Sequence, residues 1–423
     1  MGKYLIYLSV FFGHYLYGQS VTIHYEWQRT DRIKKATLQV DADGTYLLSD
    51  NFLFNAVAFS VEGHADLNGF SLEATGDQFA LEEDPHFEHV DGMKPVGLVH
   101  LAGATGQCEL IISGYQGRVE VFLINSQLKQ TPAWRYEQKE DVTGDCSEPV
   151  SIDQTAWRTG LPAPVYTRSF TTVKHIIVHH SAGANSAADY YEVVRAIYLY
   201  HTDVRGWSDI GYNYLIAPDG TLFKGRDPDI GEQDNVRGAH FCGKNSGTMG
   251  VCLLGTYTNV DPPQKALESL VLLIAWKLSK ETLSIYGTET HAANPDLGHI
   301  AGHRDGCATE CPGQRTYNLL DKIRIAVDTA ASGCDIPGVT GPQLFSIYPN
   351  PATKGRIFVS PGTEAYQSLE LIDARGQMVR RIVMEPDVEL VELSTVDLLA
   401  GLYIIKLSGL GKAITAKVVV TPP

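Results

Sequence analysis

Nowhere in its 423 residues does the chain carry a CxxC pair, so the thiolate spacing from which closed, four-ligand zinc sites are commonly built is missing. Past the N-terminus it has no apolar run near the ~20 residues that a membrane-crossing helix needs, which argues against stable membrane insertion. Cations are in deficit as well: 34 Lys and Arg stand against 49 Asp and Glu, a net charge of −15. Nucleic acid demands clustered cationic contacts to phosphate, and loose adhesion to an anionic surface demands a basic face. This chain offers neither, so no nucleic-acid partner is expected. Recognition has to come from a shaped cleft instead.

What is present is globular material in more than one piece. Hydrophobic residues make up 44% and charged residues 20% of the chain, and its length implies about two to three domains. Met1-Gly2-Lys3 and the apolar run Tyr4–Phe12 have the charged start and short hydrophobic stretch of a secretory signal, with cleavage expected after Gly18. Residues 19–147 read as a β-rich domain, from runs such as Val21–Tyr25, Lys35–Val40, Val96–Leu101, Glu109–Ser113 and Arg118–Ile124. No ligand spacing or nucleophile motif marks its role. Residues 148–335 alternate strands with amphipathic helices, which indicates an α/β layer structure. The expected strands are His175–His179, Gly211–Ala217, Thr221–Lys224 and Thr248–Leu254. The expected helices are Asp189–His201, Gln264–Lys280 and Tyr317–Ala330. Residues 336–343 fall in a Gly- and Pro-rich linker, and 344–423 read as short strands of a small β-sandwich.

The chemistry concentrates in two distant segments, Val178-His179-His180-Ser181 and Gly302-His303-Arg304-Asp305 with Thr309-Glu310-Cys311-Pro312-Gly313. Together they offer two imidazoles and one thiolate to a single ion, a donor set that suits zinc over magnesium or calcium. Three ligands leave the fourth tetrahedral position open, as hydrolytic zinc sites require. Successive side chains of a strand face opposite ways, so only one of His179 and His180 reaches the ion. The cysteine count is odd, at seven. With Cys311 on the metal, domain membership pairs Cys108 with Cys146, Cys242 with Cys252, and Cys307 with Cys334.

Val178-His-His-Ser-Ala182, Trp207–Tyr214, Asp219–Arg226, Gly238-Ala-His240 and the Gly302–Gly313 stretch occur in this order. From about Ile152 to Leu320 the chain resembles the peptidoglycan recognition protein and zinc-dependent N-acetylmuramoyl-L-alanine amidase family. That resemblance implies a mixed central sheet with flanking helices and a Zn2+ site at one edge of a peptidoglycan groove. It implies His179, His303 and Cys311 as the ligands and Tyr212 as the catalytic tyrosine, with Thr309 as a second oxyanion donor. His201, His240 and Asn245 match positions lining the substrate cleft. The segment Asp227–Arg237 is longer than the short aromatic link of many animal members, which leaves the choice of stem peptide open.

Residues 344–423 resemble a second family, on Tyr348-Pro-Asn-Pro351, Asp373-Ala-Arg-Gly376, Gly401–Lys406 and Lys417–Val420. These look like the sorting domain of type IX secretion substrates, which implies the type IX machinery as a partner and a secreted or cell-surface location. The expected activity is hydrolysis of the amide between N-acetylmuramic acid and L-alanine in peptidoglycan or muropeptides. The rivals are a non-catalytic peptidoglycan receptor on the same fold and a surface adhesion protein. The presence of His179, His303, Cys311 and Tyr212 together favours the enzyme.

Overall fold

The computed structural model describes residues 23–26, 31–63, 65–81, 83–84, 92–128, 146–331, 346–352, 355–361, 366–385, 388, 390–409 and 412–421. The expected signal segment, the linker and Cys334 lie outside them. Two compact units emerge: the described residues up to Glu83 with Gly92–Asn125 form one, and Asp84 with the residues from Ser126 onward forms the other. Among the described residues no helix is long and apolar enough to cross a membrane.

The first unit is an antiparallel sheet of β1 (Ile23–Glu26), β2 (Ile33–Val40), β3 (Gly44–Glu62), β4 (Phe70–Ala74), β5 (Asp77–Ala80), β6 (Met93–Ile112) and β7 (Gly117–Ile124), in the order β1-β2-β7-β3-β6-β4-β5. Its core gathers Leu38, Leu48, Val57, Phe59, Leu72, Leu101, Leu110 and Val121. The long strand β3 was not legible in sequence, because Ser49-Asp50-Asn51 reads as a turn. The structure uses it as a bulge instead. Asp50 Oδ1 accepts the Phe52 N–H at 2.7 Å, and the register with β6 shifts between Ser49 and Phe54. The expected separate strands Val96–Leu101 and Glu109–Ser113 both fall in β6, which ends at Ile112. They are joined across Gly103 and Gly106, and a Cβ at Gly106 would meet the Asp50 carbonyl at 2.9 Å. Unequal numbers of residues on the paired strands bend them without ending them.

In the second unit a five-stranded mixed sheet carries β8 (His175–His180), β9 (Tyr214–Ile216), β10 (Leu222–Lys224), β11 (Thr248–Leu253) and β14 (Ile300–Gly302), in the order β10-β9-β11-β8-β14. The strands β12 (Thr288–Glu289) and β13 (Leu297–Gly298) form a separate hairpin. Pairing is parallel throughout except between β9 and β10. Among the described residues four α-helices accompany the sheet: α1 (Gln154–Trp157), α2 (Tyr190–Leu199), α3 (Gln264–Glu281) and α4 (Gln314–Ala330). Asp189 caps α2 by accepting the Tyr191 N–H at 2.9 Å, as Asp at an N-cap should. The last turn expected of this helix is a π-turn over Tyr200–Val204. Leu270, Leu273, Ile274 and Leu278 of α3 and Ile323 and Val327 of α4 pack on Ile176, Val178, Met249 and Val251 of the sheet. Each such buried side chain stabilises the layer by about 1.5–3 kcal/mol.

The C-terminal segment carries β15 (Ser346–Tyr348), β16 (Arg356–Ser360), β17 (Ser368–Asp373), β18 (Met378–Val383), β19 (Val391–Ser394), β20 (Gly401–Gly409) and β21 (Lys412–Val420). They form two sheets, β15-β16-β19 and β18-β17-β20-β21, which share one core of Ile357, Val359, Leu369, Leu371, Leu393, Ile405, Leu407 and Val418. Two faces around a common core are the sandwich the alternating pattern led us to expect.

His100, on β6, is 5% exposed, and neither ring nitrogen has a hydrogen-bond partner among the described residues. Burial holds its pKa down at about 4, against an ordinary 6.5. The unfolded chain therefore binds the proton first, and stability that is full above pH 6.5 is lost as pH falls toward 4. At ~1.4 kcal/mol per pH unit, the loss reaches about 2–3 kcal/mol by pH 4.5. In His100→Leu this acid limb should flatten, measured as the urea midpoint of the full chain at pH 7 and pH 4.5. The same drop in both proteins would contradict it.

Candidate metal centre

Sheet register assembles the centre. In the β8–β14 pair Ile176 faces Ile300, Ile177 faces Ala301 and Val178 faces Gly302. One step further along each strand lie His179 and His303, whose rings are 4.4 Å apart between centroids. The pair thus sits at the carboxyl end of a parallel ladder, where open α/β sheets place their ligand sites. His179 shares its face with Ile177, which packs against Phe241, Leu297 and Ala301. His180 points the other way, and its Nδ1 accepts the Tyr257 N–H at 3.2 Å. Strand alternation thus selects the first histidine.

Cys311 arrives on a loop that braces itself. Asp305 Oδ2 accepts the Gly302 N–H at 2.8 Å, the Cys311 carbonyl accepts the Arg304 N–H at 3.0 Å, and Thr309 Oγ1 accepts the Cys311 N–H at 3.0 Å. Gly313 closes it at φ +85°, where an added Cβ would collide with the Tyr257 backbone at 2.4 Å. The disulfide Cys242–Cys307 ties this loop to the one carrying His240.

The donor atoms of His179, His303 and Cys311 lie within 4.8 Å of one another, and the three side chains are 0%, 0% and 2% exposed. Such a set could hold a metal ion, and two imidazoles with a sulfur are a donor set of the softer transition-metal type. Burial pushes the Cys311 thiol up to about 12, so without a cation it keeps its proton. Tyr212 lies beside the cluster, its ring 5.3 Å from His179 and 4% exposed. Burial, the largest cause, raises its pKa well above the ordinary 10. The phenol stays protonated and is a donor.

The remaining expected site residues have defined places. His201 is buried; its Nδ1 accepts the Gly211 N–H at 3.1 Å, and its ring lies 4.8 Å from Trp207 and 5.8 Å from Tyr212. His240 is buried behind His179, Nδ1 to Nε2 at 3.0 Å. Asn245 Oδ1 accepts the backbone N–H groups of His240 and Phe241 at 2.7 and 2.9 Å. The Glu310 side chain turns to solvent beside Arg304, at 3.5 Å.

The disulfide expectations need correction. Cys242 pairs with Cys307, Cys108 and Cys252 are free and buried, and Cys146 is disulfide-bonded but not to Cys108. Proximity in sequence misled: Cys252 lies inside β11, opposite His179, with its thiol paired to the Tyr212 hydroxyl. Two neighbours of the centre thus went unread, Cys252 and Asp84. The Oδ2 of Asp84 accepts the Tyr200 hydroxyl at 3.0 Å across 116 positions, and no local pattern marks a contact of that separation.

The second unit is a mixed α/β domain with a buried two-imidazole, one-sulfur cluster, a candidate metal site, at the carboxyl edge of its sheet. Comparison with known proteins narrows it. Residues 169–314 match the family described as N-acetylmuramoyl-L-alanine amidase, and residues 346–421 match that described as secretion system C-terminal sorting domain. Peptidoglycan-recognition protein SC2 of Drosophila simulans is 31% identical over 172 residues, 40% of this chain and 83% of that protein. Peptidoglycan-recognition protein SC1a of Drosophila melanogaster is 34% identical over 151 residues, 35% of this chain and 72% of that protein. The N-acetylmuramoyl-L-alanine amidase of Homo sapiens is 32% identical over 127 residues, which span 30% of this chain and only 19% of that protein. The chain belongs to the peptidoglycan recognition protein and N-acetylmuramoyl-L-alanine amidase family, and it ends in a type IX sorting domain, which implies export.

A cation that takes Cys311 as a ligand has to displace its proton, since thiolate is the ligand form. Calorimetric titration of Zn2+ into metal-free protein at pH 7, in two buffers of different ionisation enthalpy, should register release of about one proton per chain. No proton release would mean that sulfur is not a ligand.

Proposed function

We propose that the chain is an exported, zinc-dependent N-acetylmuramoyl-L-alanine amidase that cuts the amide joining N-acetylmuramic acid to L-alanine. The observation that carries the reading is the convergence of His179, His303, Cys311 and Tyr212 at one buried point. The donor chemistry fits zinc, with His179, His303 and Cys311 as ligands and a fourth position left for the reacting partners. When bound, zinc supplies Lewis acidity and a water acidified toward neutrality.

The chain's own side chains supply the rest. His179, His303 and Cys311 fix the position of the charge on which the amide carbonyl is polarised. Tyr212, protonated for the reasons above, donates to the oxyanion that develops on that carbonyl. Thr309 accepts from the Cys311 N–H and keeps its own hydroxyl proton, which makes it a second donor. Water exclusion around these groups strengthens each interaction. The signal segment and the sorting domain together would carry the enzyme across both membranes, which places foreign or shed peptidoglycan within its reach.

Loss of one oxyanion donor costs roughly 10²–10³ in rate. Tyr212→Phe should therefore retain zinc and fold while its kcat falls by that factor. Wild-type turnover would remove Tyr212 from the reaction. Cys311→Ser should lose zinc and activity together. Purified full-length protein incubated with muropeptides, with and without a chelator, separates the readings: zinc-dependent release of free stem peptide is expected, and binding without release would identify a receptor.

A further inference from the structure

We propose that His240 is a positioning residue that decides which nitrogen of His179 is bare, through a chain of hydrogen bonds anchored on a backbone carbonyl. Its consequence for zinc rests on the ligand assignment proposed above; its geometry does not.

The chain is read from its far end. Thr248 Oγ1 lies 2.9 Å from the Asn245 carbonyl oxygen. A carbonyl only accepts, so the hydroxyl proton is committed there. The same Oγ1 lies 3.3 Å from His240 Nε2 and now serves as acceptor, which places the His240 proton on Nε2. A neutral imidazole has one N–H and one lone pair, so His240 Nδ1 carries the lone pair. That nitrogen is 3.0 Å from His179 Nε2, which must donate. His179 Nδ1 is therefore the bare nitrogen, and it is the one 3.7 Å from Cys311 Sγ. Every link has its donor and acceptor defined by the one before it.

Packing holds the middle of the chain still. The His240 ring is 1% exposed and sits against two glycines. A Cβ at Gly250 would come within 2.5 Å of it, and a Cβ at Gly238 within 2.6 Å. Asn245 pins the His240 backbone from behind, and the Cys242–Cys307 bridge joins its loop to that of Cys311. A ring so confined cannot turn over to present its other edge. Histidine ligands are commonly oriented by a partner on the far nitrogen, and removing that partner typically costs 10–100-fold in metal affinity. Here the partner is a second imidazole, which is able to accept only because Thr248 accepts from it in turn.

The test uses full-length protein labelled with 15N-histidine. In the metal-free wild type, long-range 1H–15N correlation of the His179 ring should show the Nε2–H tautomer. His240→Ala should give a mixture of tautomers and a 10–100-fold weaker zinc affinity by chelator competition. His240→Gln, whose amide oxygen can accept from Nε2–H, should recover most of that loss. Thr248→Val, which keeps the shape of Thr248 and lies one link further out, should weaken zinc by a smaller factor and keeps the test decisive should His240→Ala not fold. An Nδ1–H tautomer in the wild type overturns the proposal, as does unchanged zinc affinity in folded His240→Ala or Thr248→Val. Wild-type protein that shows the Nε2–H tautomer but binds no zinc, or binds it without cleaving muropeptides, would count against the amidase reading and leave the relay standing.

Discussion

Parallel pairing of β8 with β14 sets Gly302 against Val178, and the cluster of His179, His303 and Cys311 forms because of it. A slip of one residue in β8 would turn His179 to the helix side and bring His180 to the cluster face. The register is held from both sides of the sheet. Ile176 and Val178 lock into the α3–α4 layer, while Ile177 and Ala301 lock against Phe241 and Leu297. The core on two faces is thus the device that aims a single imidazole.

Burial then gives the centre its character. Donors this deep carry a desolvation cost unless they are bonded, and for Cys311, His179 and Tyr212 the surroundings answer that cost by hydrogen bonds. Cys311 accepts the His180 N–H at 3.4 Å, His179 leans on His240, and Tyr212 meets Cys252. The same burial that keeps Cys311 and Tyr212 protonated in the absence of a cation makes a bound one act at close quarters, with little solvent to screen it. Scaffold and chemistry therefore share one cause. Rigid strands supply His179 and the approach to His303, and a self-braced loop supplies Cys311. The Cys242–Cys307 bridge fastens that loop to the segment behind His179.

The limits of sequence reading are physical. Period-2 and period-3.6 patterns expose short strands and amphipathic helices, so β8, β11, α3 and α4 were legible to within a few residues. The strand β3 was not, because Asp50 bends the chain while β-pairing resumes beyond it. The cysteines were misread for a related reason: a disulfide records proximity in space, and Cys242 and Cys307 are 65 positions apart. The hydrogen bonds of His240 and Asn245 run behind His179, and no local pattern in the sequence marks them.

By itself the sequence determined the donor chemistry, the order of the family motifs, the alternating layers and the sandwich at the C-terminus. These are local matters, since residue type and periodicity act over a few positions. Tertiary structure alone decided that Cys252 stays a thiol beside Tyr212, that Asp84 meets Tyr200, and that His240 stands behind His179. Each of these depends on which backbone lies across from which, and that is settled by the packing of strands and helices far apart in the chain.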